Sequence, residues 1–73
     1  MKAYTIRITT ADNLYTDYIV EASNLFRAEK KAKKAFFRDY PDAETKIKTS
    51  IANPSKEVLI EIFNIIKEIN IWA

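Results

Sequence analysis

The spacing of apolar residues alternates between a period of two and a period of about 3.6 along this chain, and that sequence of periods sets the order of its elements. Residues 4–10 alternate, with Tyr4, Ile6 and Ile8 on one face and Thr5, Arg7 and Thr9 on the other. β-Branched residues at this spacing make a half-buried strand. Residues 15–22 alternate again, with Tyr18, Val20 and Ala22 set against Asp17, Ile19 and Glu21. Between them stands Ala11-Asp12-Asn13-Leu14, in a chain with no glycine. Asp and Asn tolerate the left-handed turn conformation best when glycine is missing, so the two strands are read as a hairpin.

The period then lengthens. Over residues 25–40, Leu25, Ala28, Ala32, Ala35 and Phe36 fall on one helical stripe, and its three alanines would let the helix sit close to a sheet. Ser23 or Asn24 is the expected N-cap, and Pro41 ends the helix because the residue before a proline disfavours the α region. A third strand is expected over residues 45–52, with Thr45, Ile47, Thr49 and Ile51 opposing Lys46, Lys48 and Ser50. Asn53-Pro54-Ser55 breaks the chain, with Ser55 the expected N-cap and Glu57 in the positive first turn of a final helix. There Val58, Leu59, Ile62, Ile65, Ile66, Ile69 and Trp72 form one broad apolar stripe, with Glu57, Glu61, Asn64 and Glu68 opposite.

The expected fold is therefore α+β, in the order β-β-α-β-α. It is a three-stranded antiparallel sheet with both helices on one face, and a right-handed crossover places the first strand in the middle. A short fourth strand at residues 69–72 is the competing arrangement. The expected core is Ile6, Ile8, Tyr18, Val20, Ala28, Ala32, Phe36, Ile47, Ile51, Ile62, Ile66 and Ile69. A chain of 73 residues is read as one domain over residues 1–73. It buries only roughly 60% of its unfolded surface, so apolar packing has to hold it, and a hydrophobic content of 48% makes that credible.

Composition narrows the chemistry. Cysteine and histidine are both absent, which removes thiolate and imidazole nucleophiles, bases and metal ligands. Without glycine, neither a phosphate-cradling loop nor a dinucleotide fingerprint can be built. Carboxylates remain, at Asp12, Asp17 and Glu21 and again at Asp39, Asp42 and Glu44, and they read as solvated turn and edge charge. A non-enzyme without cofactor or metal is expected. No leader or membrane-spanning run is evident, so a cytoplasmic location is expected.

Two surfaces stand out. Residues 23–41 carry a net charge of +4 in a chain whose total is +2. On a helical projection Arg27, Lys30, Lys31, Lys34 and Arg38 share an arc of about 100° opposite the core stripe, with Phe26 and Phe37 at its edge beside Lys30 and Lys33. Cations beside exposed rings suit a partner surface, either an acidic protein or a nucleic acid whose phosphates meet the charge and whose bases stack on the rings. The second surface is the apolar surplus of the last helix. Ile60, Phe63 and Ile71 lie off the main stripe, and with Trp72 they form a candidate self-association patch, most simply in a two-fold dimer.

The stretches Tyr4-Thr5-Ile6-Arg7-Ile8-Thr9-Thr10, Tyr18-Ile19-Val20-Glu21-Ala22-Ser23, Ala28-Glu29 and Ala32 through Phe36 resemble small phage and prophage proteins of low-GC Gram-positive bacteria. The wealth of Ile, Lys and Asn, all with AT-rich codons, fits such a source. The resemblance covers about half of the chain and assigns no individual residue a role. It implies a class, accessory proteins that bind and inhibit a host or defence protein without catalysis.

Overall fold

The computed structural model describes residues 1–44 and 46–72, and side chains as far as Glu68. The elements are β1 (Lys2–Thr10), β2 (Tyr15–Ala22), α1 (Leu25–Asp39), β3 (Ile47–Ile51) and α2 (Lys56–Trp72). The sheet is antiparallel throughout, in the order β2-β1-β3, so β1 is central as expected. The chain is helical through to Trp72, so the competing fourth strand does not form.

Register follows from the alternation. Ile6 stands opposite Tyr18 on one side and Ile51 on the other, while Tyr4 faces Val20 and Ile8 faces Thr49. Because side chains alternate across a strand, this row shares one face of the sheet, and both helices pack there. The hairpin closes through Thr10 N–H donating to the Leu14 carbonyl at 2.9 Å and Asn13 N–H donating to the Thr10 carbonyl at 3.0 Å. Asn13, at φ 64°, takes the left-handed conformation that the glycine-free turn requires, and Asn53 does so again at φ 45° before α2.

The helix ends are set by side chains. Asn24, rather than Ser23, caps α1: its Oδ1 accepts from Arg27 N–H at 2.9 Å. Ser55 caps α2 by accepting from Val58 N–H at 3.3 Å. Ala28 and Ala32 are fully buried, which brings α1 close over β1 and β2. Tyr4, Ile6, Ile8, Ala22, Phe36 and Val58 complete the buried cluster, and Tyr18, Val20, Ile47, Ile51 and Ile62 pack partly buried around it.

α2 departs from expectation. Its inward face holds Val58, with Glu61, Ile62 and Ile65 partly buried, whereas Leu59 and Ile66 are exposed. The helix is rotated so that one edge of its apolar stripe, and a glutamate assigned to the polar face, turn toward the sheet. Ile66 is therefore not a core residue, and Ile69 lies outside the described side chains. The third strand begins at Ile47, and Thr45 falls outside the described residues.

A carboxylate at position 58 would be buried and unpaired. Val58→Asp should therefore cost several kcal/mol of a total near roughly 5 and leave the chain largely unfolded. Ile66→Asp, measured by urea denaturation at low protein concentration, should stay within about 0.5 kcal/mol of the parent. If the two variants are equally destabilised, α2 is docked through its other edge.

Candidate functional site

With its alanine stripe turned to the sheet, α1 presents Arg27, Lys30, Lys31, Lys33, Lys34 and Arg38 to solvent. Two of these six are engaged within the fold. Lys31 Nζ donates to the Glu21 carbonyl on β2 at 2.5 Å, and Arg38 Nε donates to Asp39 Oδ1 at 3.2 Å. Arg27, Lys30, Lys33 and Lys34 make no ion pair with a carboxylate among the described residues. These four form the free part of the basic face.

The flanking rings behave differently from each other. Phe26 is 63% exposed, at the N-terminal end of the face. Phe37 is half-buried, set edge-on against Phe36 with ring centroids 5.2 Å apart, and it packs on the core. The expected pair of rings bordering the cations is thus reduced to one.

The start of α1 is held by a residue of α2. Leu25 N–H donates to Glu61 Oε2 at 2.7 Å, the Tyr4 hydroxyl donates to Glu61 Oε1, and Lys2 Nζ lies 3.3 Å from the same oxygen. α1 has no acidic residue in its own first turn, so Glu61 supplies the negative charge that this positive helix end favours. Burial pushes the Glu61 carboxyl up, but the hydrogen bonds from Tyr4, Leu25 N–H and Lys2 outweigh it and hold the group below the usual carboxylate range. The Tyr4 phenol is pushed up to about 12 by its burial and by the adjacent Glu61 carboxylate. This tie leaves a groove of about 330 Å³ between the start of α1 and α2, lined by Lys2, Asn24, Phe26, Ile60, Asn64 and Glu68 among others.

The proposed self-association residues divide. Ile60 and Phe63 are exposed at 55% and 71%, while the side chains of Ile71 and Trp72 lie outside those described. Two residues of the expected inward stripe join them, Leu59 at 52% and Ile66, the latter assigned to the core, at 51%. The signal for this was the excess of apolar residues on α2 over what one small sheet can cover.

Of the six carboxylates singled out in the sequence, Asp17 and Asp39 are engaged within the fold. Asp17 takes two hydrogen bonds from Arg7, at 2.8 and 3.1 Å, which hold its carboxyl below the usual range, and Arg7 also lies 4.1 Å from the centre of the Tyr15 ring. Asp39 accepts from the Tyr18 hydroxyl at 3.0 Å and from Arg38, and these bonds hold it below the usual range. Tyr18 is raised to about 12 by burial and by that bond. A wider groove of about 770 Å³ lies between the hairpin turn and the end of α1, lined by Asp12, Leu14, Phe36, Tyr40, Asp42 and Glu44 among others. Among the described residues no group of three or more His, Cys, Asp or Glu side chains is placed to hold a metal ion, and no helix is long and apolar enough to cross a membrane.

No protein-family model matches the chain, and comparison with curated proteins and with solved structures finds no match.

Glu61 gives a pH signature. Its pKa is depressed in the folded state, so its contribution is present above the unfolded value of about 4.3 and is lost as pH falls through the folded value. Glu61→Gln should cost about 1–3 kcal/mol at pH 7, because glutamine cannot accept all three donors and carries no charge. The gap between parent and variant should narrow in chemical denaturation as pH is lowered and Glu61 becomes protonated. A gap that does not change with pH would remove the charged tie between α1 and α2.

Proposed function

We propose that this chain is a small non-enzymatic binding protein that applies the basic face of α1, with Phe26 at its end, to an acidic surface of another protein. The observation that carries this reading is the set of four cations, Arg27, Lys30, Lys33 and Lys34, left without carboxylate partners among the described residues while Lys31 and Arg38 are engaged internally. Exposed cations of one sign steer association with a surface of the opposite sign and fix its orientation. Phe26 supplies an apolar anchor beside them, the kind of residue that concentrates interface energy. In line with the resemblance to phage accessory proteins, the partner is a host or defence protein, and occupation of its acidic site inhibits it.

Nucleic acid is the competing partner, since the same four cations could follow a phosphate backbone. Single-stranded recognition relies on successive bases stacking on aromatic side chains. Phe37 packs on Phe36 and the core, so it leaves Phe26 as the only one of the two expected rings free to stack. This favours protein.

Lys30→Glu/Lys34→Glu neutralises the face without touching the buried stripe, so the variant should fold as the parent does. Capture from a nuclease-treated host lysate should recover a protein partner with the parent chain. The double variant should weaken that complex at least about tenfold. Micromolar binding to single- or double-stranded nucleic acid, falling about a hundredfold between about 50 and 200 mM salt as four phosphate contacts require, would overturn the reading if no protein is recovered.

A further inference from the structure

We infer that the groove between the hairpin turn and the end of α1 is a second binding site, one that takes an arginine-bearing peptide segment of another protein. Its volume of about 770 Å³ lies within the range of about 300–1,000 Å³ typical of ligand sites. Among the described residues its lining holds four carboxylates, Asp12, Asp39, Asp42 and Glu44, and no lysine or arginine. Asp39 is taken by Tyr18 and Arg38, whereas Asp12, Asp42 and Glu44 make no ion pair among the described residues. In a chain of net charge +2, three unpaired carboxylates are thus gathered at one groove. The last turn of α1 lies there as well, the end at which a helix dipole is negative and favours a cation. Arg38, the basic residue of that turn, is not part of the lining.

Charge alone would admit any cation, and the apolar part of the lining narrows the class. Leu14 is 69% exposed and Tyr40 is 50% exposed. The Tyr40 ring rests against buried Phe36, with ring centroids 5.2 Å apart. Pro41 and Asp42 follow in a turn closed by Ala43 N–H donating to the Tyr40 carbonyl at 3.1 Å, with proline at the position that suits its fixed φ. Ring and carboxylate are therefore positioned before a ligand arrives. A planar guanidinium stacks on a ring while donating to a carboxylate, which a compact ammonium does less well. The chain uses the same chemistry internally: Arg7 lies 4.1 Å from the centre of the Tyr15 ring and bonds both oxygens of Asp17. Nucleic-acid phosphates and anionic membranes would be repelled, so the occupant is a protein segment, with an apolar residue beside its arginine to cover Leu14. The site is opposite in sign to the outer face of α1, and the inference does not depend on the binding reading of that face.

The probe is an acetylated, amidated peptide of alternating arginine and leucine, titrated into the isotope-labelled chain and followed by nuclear magnetic resonance. Backbone amide signals of residues 11–16 and 39–44 should shift and saturate, while those of residues 27–34 stay in place. Asp12→Asn/Asp42→Asn/Glu44→Gln changes exposed side chains only and should raise the dissociation constant about tenfold or more. Tyr40→Ala should raise it about two- to fivefold. The same peptide with citrulline in place of arginine keeps its shape, loses its charge and should not bind. Lys30→Glu/Lys34→Glu should bind the peptide at least as tightly as the parent, which separates this site from the basic face of α1. Absence of a saturable shift up to millimolar peptide would overturn the inference, as would equal binding of the citrulline peptide or indifference to the triple substitution. Spermidine binding as tightly as the peptide would also overturn it, by reducing the site to a diffuse attraction for cations. Shifts at the groove on concentrating the chain alone would give the site to a second copy instead.

Discussion

Glu61 is the point at which the three parts of this small fold are joined. Its carboxylate receives the Tyr4 hydroxyl from the central strand, the Leu25 N–H from the first turn of α1 and the Lys2 ammonium from the start of β1. A carboxylate whose side chain is only 13% exposed would be costly without such partners. With three donors on two oxygens, its charge is retained and it is fixed in direction. That direction determines how far α2 is rotated about its own axis. Turning Glu61 inward carries Val58 and Ile65 with it, because they lie about one turn away on the same side. The same rotation carries Leu59, Ile60, Phe63 and Ile66 outward.

This explains which parts of the structure could be read from the residues and which could not. The alternation of Tyr4, Ile6 and Ile8 has only one way to face a core, since a slip of one residue would expose all three. Strand order and sheet face were legible for that reason, and Asn13 was legible as a left-handed turn residue because few other residue types tolerate it. α2 offers no such constraint. Its apolar residues cover so much of its circumference that either edge could be buried, and the choice fell to a polar interaction between residues 36 and 57 positions apart in sequence. A glutamate among polar neighbours reads as solvated, and only its meeting with Tyr4 and Leu25 makes it an internal residue. Phe37 was misplaced for a related reason. At the border of an arc, projection cannot tell a ring lying over the core from one standing in solvent.

The charges of the molecule sort by the same test of partnership. On the open face of the sheet Arg7 is engaged three ways, by the two oxygens of Asp17 and by the Tyr15 ring. Along the outer edge of β2, Asp17 and Glu21 discourage pairing with another strand, and Lys31 occupies the Glu21 carbonyl directly. These arrangements leave the β2 edge of the sheet poorly suited to recruiting partners through its backbone. The opposite holds for α1. Packing of its alanines against the sheet forces its long cationic side chains outward together, and Asp39 at the end of the helix is taken by Tyr18 and Arg38.

Size links the two remaining surfaces. Among the described residues nine make up the buried core, and four of them are alanines, which permit close approach but bury little apolar surface. Full burial of a large aliphatic or aromatic side chain is worth about 1.5–3 kcal/mol, and only Tyr4, Ile6, Ile8, Phe36 and Val58 are of that kind. Such a core supports the sheet, α1 and the first turns of α2, but it has nothing left to set against Phe63 or Ile66. The turn of α2 that carries Phe63 and Ile66 is therefore weakly supported by the core. The tie at Glu61, on the turn before them, is what fixes the helix there. Releasing it would unseat the start of α1, where Phe26 stands, and would free α2 to rotate about its own axis.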